Sequence, residues 1–445
     1  MTGNRTDVRR LLDEAPMGRL QIAAIILCVL LNALDGFDVL AISFASPGIA
    51  AEWGVDRAAL GLVLSMELIG MAVGSVLLGG LADRIGRRPT ILLCLVFMAS
   101  GMLAATHAFS VVSLSAIRLL TGLGIGGMLA CTNAMVAELA NARARSLAVA
   151  VMAAGYPTGA IAGGSIASML LVSGDWRDVF LFGAIMTGIF LPLAAFLLPE
   201  SIGFLLQKRP RGALDKVNAL LARMGHESIA ALPPQDAAAP KASLSALFAP
   251  DLARITILLT AAYFAHIMTF YFILKWVPKI VVDMGHAPSA AGGVLVWANV
   301  GGLVGALLLS VLSWRIRIRP LVIVAMLMST VMVTIFGQGQ SSLSGLALVA
   351  AAGGFFTNAG VVGLYAIIAQ SFPTSVRGTG TGMVIGIGRG GAALGPIIAG
   401  FLFSLDFELP VIALVMALGS LIAAVALLLL RQAKSGEKAL VEKMR

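Results

Sequence analysis

The chain has 445 residues, of which 59% are hydrophobic and 12% charged, with a formal net charge of +9 and a mean hydropathy of +0.97. So few charges over that length exclude a soluble multi-domain enzyme. Twelve membrane spans of about 20 residues need roughly 240, and the continuous apolar blocks argue against an outer-membrane barrel, whose strands alternate polar and apolar residues.

Residues 1–20 mix acids with arginines, and no small-residue cleavage site follows the first apolar block, so that block is a retained first span. Cutting at charge clusters and Gly/Pro punctuation predicts helical spans at 20–46, 58–82, 89–106, 111–138, 144–172, 178–198, 251–283, 289–314, 320–337, 341–369, 377–404 and 409–430. The fold class is therefore an all-α polytopic membrane protein with twelve transmembrane helices. With both termini cytoplasmic, 25 of the 31 Lys and Arg fall on the inside, among them Arg5, Arg9, Arg10, Lys241 and the run from Arg431 to Arg445. Arg57, Arg177, Lys275 and Lys279 fall outside or at the outer rim. This topology accounts for the positive charge, so no nucleic-acid partner is expected. Cys28, Cys94 and Cys131 all lie in apolar stretches, and neither a metal nor a cofactor is expected.

Span 1 carries Asp35 and Asp38, three apart and hence on one face. At 1.5 Å per residue they lie about 17 and 12 Å below its outer end, with Glu67 of span 2 near 13 Å and Arg118 of span 4 near 11 Å from the same side. A charge near the bilayer centre costs at least ~2.5 kcal/mol, so this layer needs partners or a wet cavity. It reads either as a static ion-pair network or as a proton switch. Spans 3, 6, 9 and 12 hold no ionisable residue and are expected to face lipid. Between spans 2 and 3, the glycine-flanked loop around Asp83, Arg84, Arg87 and Arg88 exceeds what charge retention requires. Asp83 there is a candidate cytoplasmic latch, set to meet a neighbouring helix N-terminus.

The stretch 199–250, rich in Pro and Ala and including Pro234 and Pro240, reads as a disordered cytoplasmic linker. It divides the chain into an N-terminal six-helix half (1–198) and a C-terminal one (251–445). The halves repeat: LADRIGRRP from Leu81 aligns with LSWRIRIRP from Leu312 at an offset of 231, and Glu138 to Gly159 aligns with Gln370 to Gly391 at an offset of 232. Parallel repeats of this kind place a substrate site near the midplane.

Span 7 is rich in aromatics, with Tyr263, His266 and Phe270 on one face, where a planar ring would be received. His266 equally suits a hydrogen-bonded packing role. Asn299 of span 8, Tyr156 of span 5 and Asn358 of span 10 are polar groups near mid-depth. Arg389 of span 11 lies about 18 Å from the inner side. It has no acid on its own helix within a turn or two, so it is a candidate bidentate ligand for a substrate carboxylate. The patterns Gly122-x-Gly124-x-x-Gly127 and Gly386-x-Gly388-x-x-Gly391 match a dinucleotide fingerprint, but neither follows a strand and both sit inside spans. Close helix packing is the better reading.

The Asp83 loop resembles the signature between spans 2 and 3 of the major facilitator superfamily, and RLLTGLGIGG from Arg118 resembles its span-4 motif. The DGFD element at Asp35–Asp38, Pro47 with Trp53-Gly54, Pro199-Glu-Ser201 and GIGR at Gly386–Arg389 followed by Leu394-Gly-Pro396 are similar to its aromatic acid/proton symporter family. The resemblance implies the major facilitator fold, in a bacterial inner membrane, and proton-driven import of benzoate-like acids. It implies functional importance for Asp35, Asp38, Arg118, Glu138, Arg377 and Arg389. Glu138 would join Asp35, Asp38 and Glu67 in proton coupling, and Arg87 and Arg377 would join Asp83 in gating. Substrate contacts would fall to Arg389, Arg118, Tyr263, His266, Phe270, Asn299 and Tyr156. One departure is Trp314, where the second-half loop of that family has an Asp, which puts a second latch in doubt.

The expected function is thus a monomeric transporter, not an enzyme, whose partners are a small aromatic acid, protons and the lipid bilayer. A symporter of a dicarboxylate is the alternative, with a drug/proton antiporter behind it because Arg389 repels cations. A membrane sensor would need an output domain that 199–250 is too short to form.

Overall fold

The computed structural model describes residues 8–172, 174–233, 244–373 and 376–430. Arg5, Pro234, Pro240, Lys241 and the basic tail from Arg431 lie outside the described residues, as do the side chains of Arg9 and Arg10. After a short α1 (Val8–Glu14), six spans follow: α2 (Arg19–Trp53), α3 (Arg57–Ile85), α4 (Arg87–Ala105), α5 (Val111–Leu139), α6 (Arg145–Leu170) and α7 (Trp176–Leu197). Linker helices α8 (Ile202–Lys208) and α9 (Ala213–Met224) come next. Six more spans are α10 (Pro250–Asp283), α11 (Pro288–Leu312), α12 (Ile318–Gly337), α13 (Leu343–Ser371), α14 (Arg377–Ser404) and α15 (Leu409–Leu429). The protein is a multi-pass helical membrane protein with the twelve expected spans.

Local chemistry fixes the starts of these helices. Asp56 accepts from the Ala59 amide at 2.6 Å at the head of α3, Ser110 and Ser113 cap α5 reciprocally, and Ser342 caps α13. Pro47, Pro157, Pro192, Pro278 and Pro396 lie inside helices without ending them, as membrane helices allow. Span 1 accordingly runs through Pro47 to Trp53, where Glu52 receives Arg177 through both guanidinium nitrogens at 2.7 Å and the Trp176 indole at 2.7 Å.

The linker departs from the disorder expected of it. Val217, Leu220, Leu221 and Met224 make an apolar stripe on α9, all buried, and α9 packs against α8 and α2. The proline and alanine content hides that stripe.

Two compact units form. The first takes the described residues up to 233 together with 275–299, and the second takes those of 244–274 and from 300 onward. In the first, α5 packs on α3 and α4 while α2 packs on α6 and α7. In the second, α12 packs on α13 and α15, and α14 on α13 and α15. As in α6, α11 and α13, no charged residue lies in the interiors of α4, α7, α12 and α15. Large apolar side chains stand exposed along them, as at Ile185, Ile189, Leu193 and Phe196 of α7, the surface of helices that face lipid.

Candidate functional site

Glu67 and Arg118 meet because α3 and α5 approach backbone to backbone. Gly122, one turn beyond Arg118, lies against the Glu67 carbonyl so closely that any Cβ would collide with it. The glycine pattern is thus a packing device here, and it is one in α14 too, where Gly388 lies under the Tyr263 ring.

At this crossing Arg118 is fully buried and ion-paired with Glu67 Oε1. It also donates to the Asp38 carbonyl at 2.9 Å, approaches Met102 Sδ at 3.3 Å and lies over the Phe180 ring at 5.4 Å. Lys275, expected at the outer rim, is instead fully buried: its Nζ lies 3.4 Å from Glu67 Oε2 and donates to the Val39 carbonyl. Its depth explains this, since eight residues before Asp283 is about 12 Å into the span, level with Glu67 and Asp38. Two buried cations therefore share one carboxylate. Asp35 and Asp38 are buried beside them, and none of their four carboxyl oxygens has a hydrogen-bond partner among the described residues.

The layer expected from the sequence thus forms with Lys275 added, and Glu67 rather than either aspartate holds the arginine. Arg118, expected to contact substrate, is committed to Glu67, the Asp38 carbonyl and Met102, leaving Nε as its orphan. It is the centrepiece of the charge cluster. Tyr156 of α6 is half-buried, and its backbone packs on Gly36 of the aspartate helix. Asn299 spends its amide on the Leu295 carbonyl of its own helix at 2.9 Å.

In the second unit Arg389 is half-buried and follows Gly388, the residue that lies under the Tyr263 ring. Tyr263 bonds the Tyr365 hydroxyl at 3.0 Å, and Tyr365 is exposed. Phe270 is half-buried and meets Tyr271 edge-on at 5.3 Å. His266, open to both a substrate contact and a packing role, makes packing contacts in this structure. Its Nδ1 pairs with the Ser420 hydroxyl at 2.9 Å and its Nε2 with the Thr357 carbonyl at 2.9 Å, tying α10 to α15 and α13 and leaving no ring nitrogen for a ligand. Asn358 donates to the Gly302 carbonyl at 2.8 Å.

The arginine-rich loop of the first unit is a network of a different shape from the one expected. Asp83 pairs with Arg87 of the next turn at 3.2 Å and its side chain is 67% exposed. Glu200, not Asp83, occupies the α4 N-terminus, accepting from the Arg87 and Arg88 amides at 2.8 and 3.4 Å. Arg87 also reaches Glu138 at 3.5 Å, and Glu138 accepts from Ser201. Glu138 therefore sits in the loop network, apart from the Glu67 cluster. In the second unit Trp314 is exposed, Arg319 donates to the Leu427 carbonyl at 2.9 Å, and Arg377 donates to the Phe372 carbonyl at 3.3 Å.

The sequence profile of the Major Facilitator Superfamily matches residues 28–296 and 259–444. The chain belongs to the Major Facilitator Superfamily. It is 30% identical over 425 residues to a gallate transporter of Pseudomonas putida, covering 95% of this chain and 94% of that one. It is 31% identical over 431 residues to the 4-hydroxybenzoate transporter PcaK of Acinetobacter baylyi, covering 95% and 93%. Among solved structures, the inward-open xylose transporter XylE of E. coli superimposes with a TM-score of 0.71 at 19% identity, over 93% of this chain and 97% of that one. That likeness establishes the fold, a twelve-span major facilitator.

Proposed function

We propose that the protein is a proton-coupled symporter that imports a small aromatic carboxylate of the benzoate or hydroxybenzoate type across a bacterial inner membrane. It works by alternating access as a monomer, with both termini cytoplasmic, the six-span halves 1–198 and 251–445 as repeats and 199–250 as linker. The observation that carries proton coupling is the pair of buried carboxyl groups, Asp35 and Asp38, without hydrogen-bond partners among the described residues, beside a cluster whose cations outnumber its paired acid. Intramembrane acids in such a setting mark proton pathways. A proton moving on or off one aspartate changes whether the Glu67–Arg118–Lys275 cluster is electrically balanced, and an unbalanced buried charge costs several kcal/mol. The names of the relatives that match nearly end to end support the aromatic acid. Arg389 is assigned the substrate carboxylate, because a planar fork of donors suits it, and Tyr263 and Phe270 of α10 with Tyr365 of α13 supply ring surface. Glu200, Asp83, Arg87, Glu138 and Arg377 are assigned to gating, with Glu200 rather than Asp83 as the latch on the α4 amides.

Proteoliposome uptake tests the proposal. One pH unit is worth about 1.4 kcal/mol per proton, or roughly tenfold accumulation. An inward proton gradient should drive accumulation of benzoate or a hydroxybenzoate, and a protonophore should abolish it. Sodium-driven uptake without pH dependence rejects the coupling. Preference for aliphatic diacids over every aromatic acid offered rejects the substrate class.

A further inference from the structure

The first unit holds a cavity of about 650 Å³ that the transport reading does not use. It lies at the end of the bundle that carries the arginine-rich loop, walled by the feet of α4 and α7 and by linker helix α9. Four cations line it, Arg84, Arg88, Lys216 and Arg223, against one carboxylate, Glu200. Glu200 is already spent on the α4 amides, and Arg88 donates to the Ala195 carbonyl at 2.6 Å. Arg84, Lys216 and Arg223 form no ion pair among the described residues. Like charges gathered around a cavity repel one another, so the arrangement favours an anion that enters it.

The cavity wall shows which anion. Phe196 lines the cavity and is 81% exposed. Leu193, Ile189 and Ile185 continue upward from it along one face of α7 at steps of three and four, all exposed. α7 is a span with no charge in its interior, so this stripe faces acyl chains. A soluble anion gains nothing from it. The volume is also that of about twenty waters at ~30 Å³ each, far more than a bare phosphate fills.

We propose that this cavity binds an anionic phospholipid, with its phosphodiester among Arg84, Arg88, Lys216 and Arg223 and an acyl chain along the α7 stripe. α9 contributes Lys216 and Arg223, so the lipid bridges the linker to the membrane-embedded helices α4 and α7. Basic pockets at the foot of membrane helices are suited to this chemistry.

The test uses the full-length protein, stripped of lipid in detergent and titrated with short-chain phosphatidylglycerol, short-chain phosphatidylcholine and glycerol 3-phosphate, with binding read by native mass spectrometry. Phosphatidylglycerol should bind with a defined stoichiometry and the zwitterionic lipid weakly. Each cation removed should weaken binding about fivefold, so Lys216→Gln/Arg223→Gln should lose about 25-fold. Arg315→Gln/Arg317→Gln, with the same charge loss elsewhere, should lose little. Equal losses in the two double variants, or equal binding of the two lipids by the unmodified protein, overturns the proposal. Glycerol 3-phosphate binding as tightly as the lipid makes the cavity a soluble-anion site and overturns it too.

Discussion

Removing the Glu67 carboxylate with Glu67→Gln strips the shared counter-charge from both Arg118 and Lys275. All three side chains have zero exposure, so water cannot take its place. Breaking a buried pair by deleting one partner costs about 3–5 kcal/mol, and here two cations lose their partner together. Lys275→Met is milder, because Glu67 keeps Arg118 and the methionine replaces most of the lysine stem. What goes is the Val39 carbonyl bond and the 3.4 Å contact to Glu67, a loss of about 1–3 kcal/mol. Combining them should help rather than hurt, since Glu67→Gln/Lys275→Met leaves one stranded cation instead of two. The double variant is therefore expected to melt above the Glu67→Gln single. Purified protein heated with a thiol-reactive dye reads this directly, because Cys28, Cys94 and Cys131 are all buried and react only as the bundle opens. A drop in midpoint for the double variant equal to the sum of the two single drops would falsify the shared-carboxylate account, since independent sites add.

Asp35→Asn and Asp38→Asn should each give folded protein that exchanges substrate but no longer accumulates it against a gradient; normal accumulation by both rules out their proton role. Arg389→Ala should weaken acid binding about 10- to 150-fold, from ~1.5–3 kcal/mol for a charge-assisted hydrogen bond, and Arg389→Lys should recover only part of it; unchanged affinity in folded Arg389→Ala protein removes the assignment. His266→Ala should lower the melting midpoint, as it removes the hydrogen bonds to the Thr357 carbonyl and the Ser420 hydroxyl, about 0.5–1.5 kcal/mol each, while leaving the dissociation constant of the acid in place; a loss of affinity in protein that stays folded would place His266 in the binding site. Glu200→Gln should slow turnover in proteoliposomes more than Asp83→Asn does, because Glu200 sits on the α4 amides and Asp83 is mostly exposed; the reverse ranking reinstates Asp83 as the latch.

The spans were legible because each is a long apolar run closed by charge or a capping side chain, and the prolines that look like breaks are tolerated inside them. The depth count along α2, α3 and α5 located Glu67 and Arg118 correctly, since 1.5 Å per residue holds for any straight helix. Lys275 was missed because it was grouped with Lys279 at the outer rim, whereas the same count applied to it places it in the layer. Glu200 illustrates a different limit. Its partners Arg87 and Arg88 lie 113 and 112 positions away, and no local pattern encodes such a pairing. The His266 bonds to Thr357 and Ser420 span 91 and 154 positions, so the same histidine looked equally suited to a ligand and to packing.

The two units differ in the kind of polar contact they keep within their spans. The first adds to neutral contacts such as Asn32 with the Met152 carbonyl a set of formal charges that share partners, Glu67 with Arg118 and Lys275. The second uses mainly neutral contacts, Tyr263 with Tyr365, His266 with Ser420, Ser420 with Ser329, and Asn358 with the Gly302 carbonyl. A neutral hydrogen bond contributes about 1 kcal/mol and a broken buried charge pair costs about 3–5, so the two halves of the chain have unequal freedom to mutate. By that measure the neutral contacts among α10, α11, α12, α13 and α15 should tolerate substitution more readily than the charged layer does. New substrate preferences should therefore arise by substitutions in the second unit, on a first unit whose chemistry stays fixed.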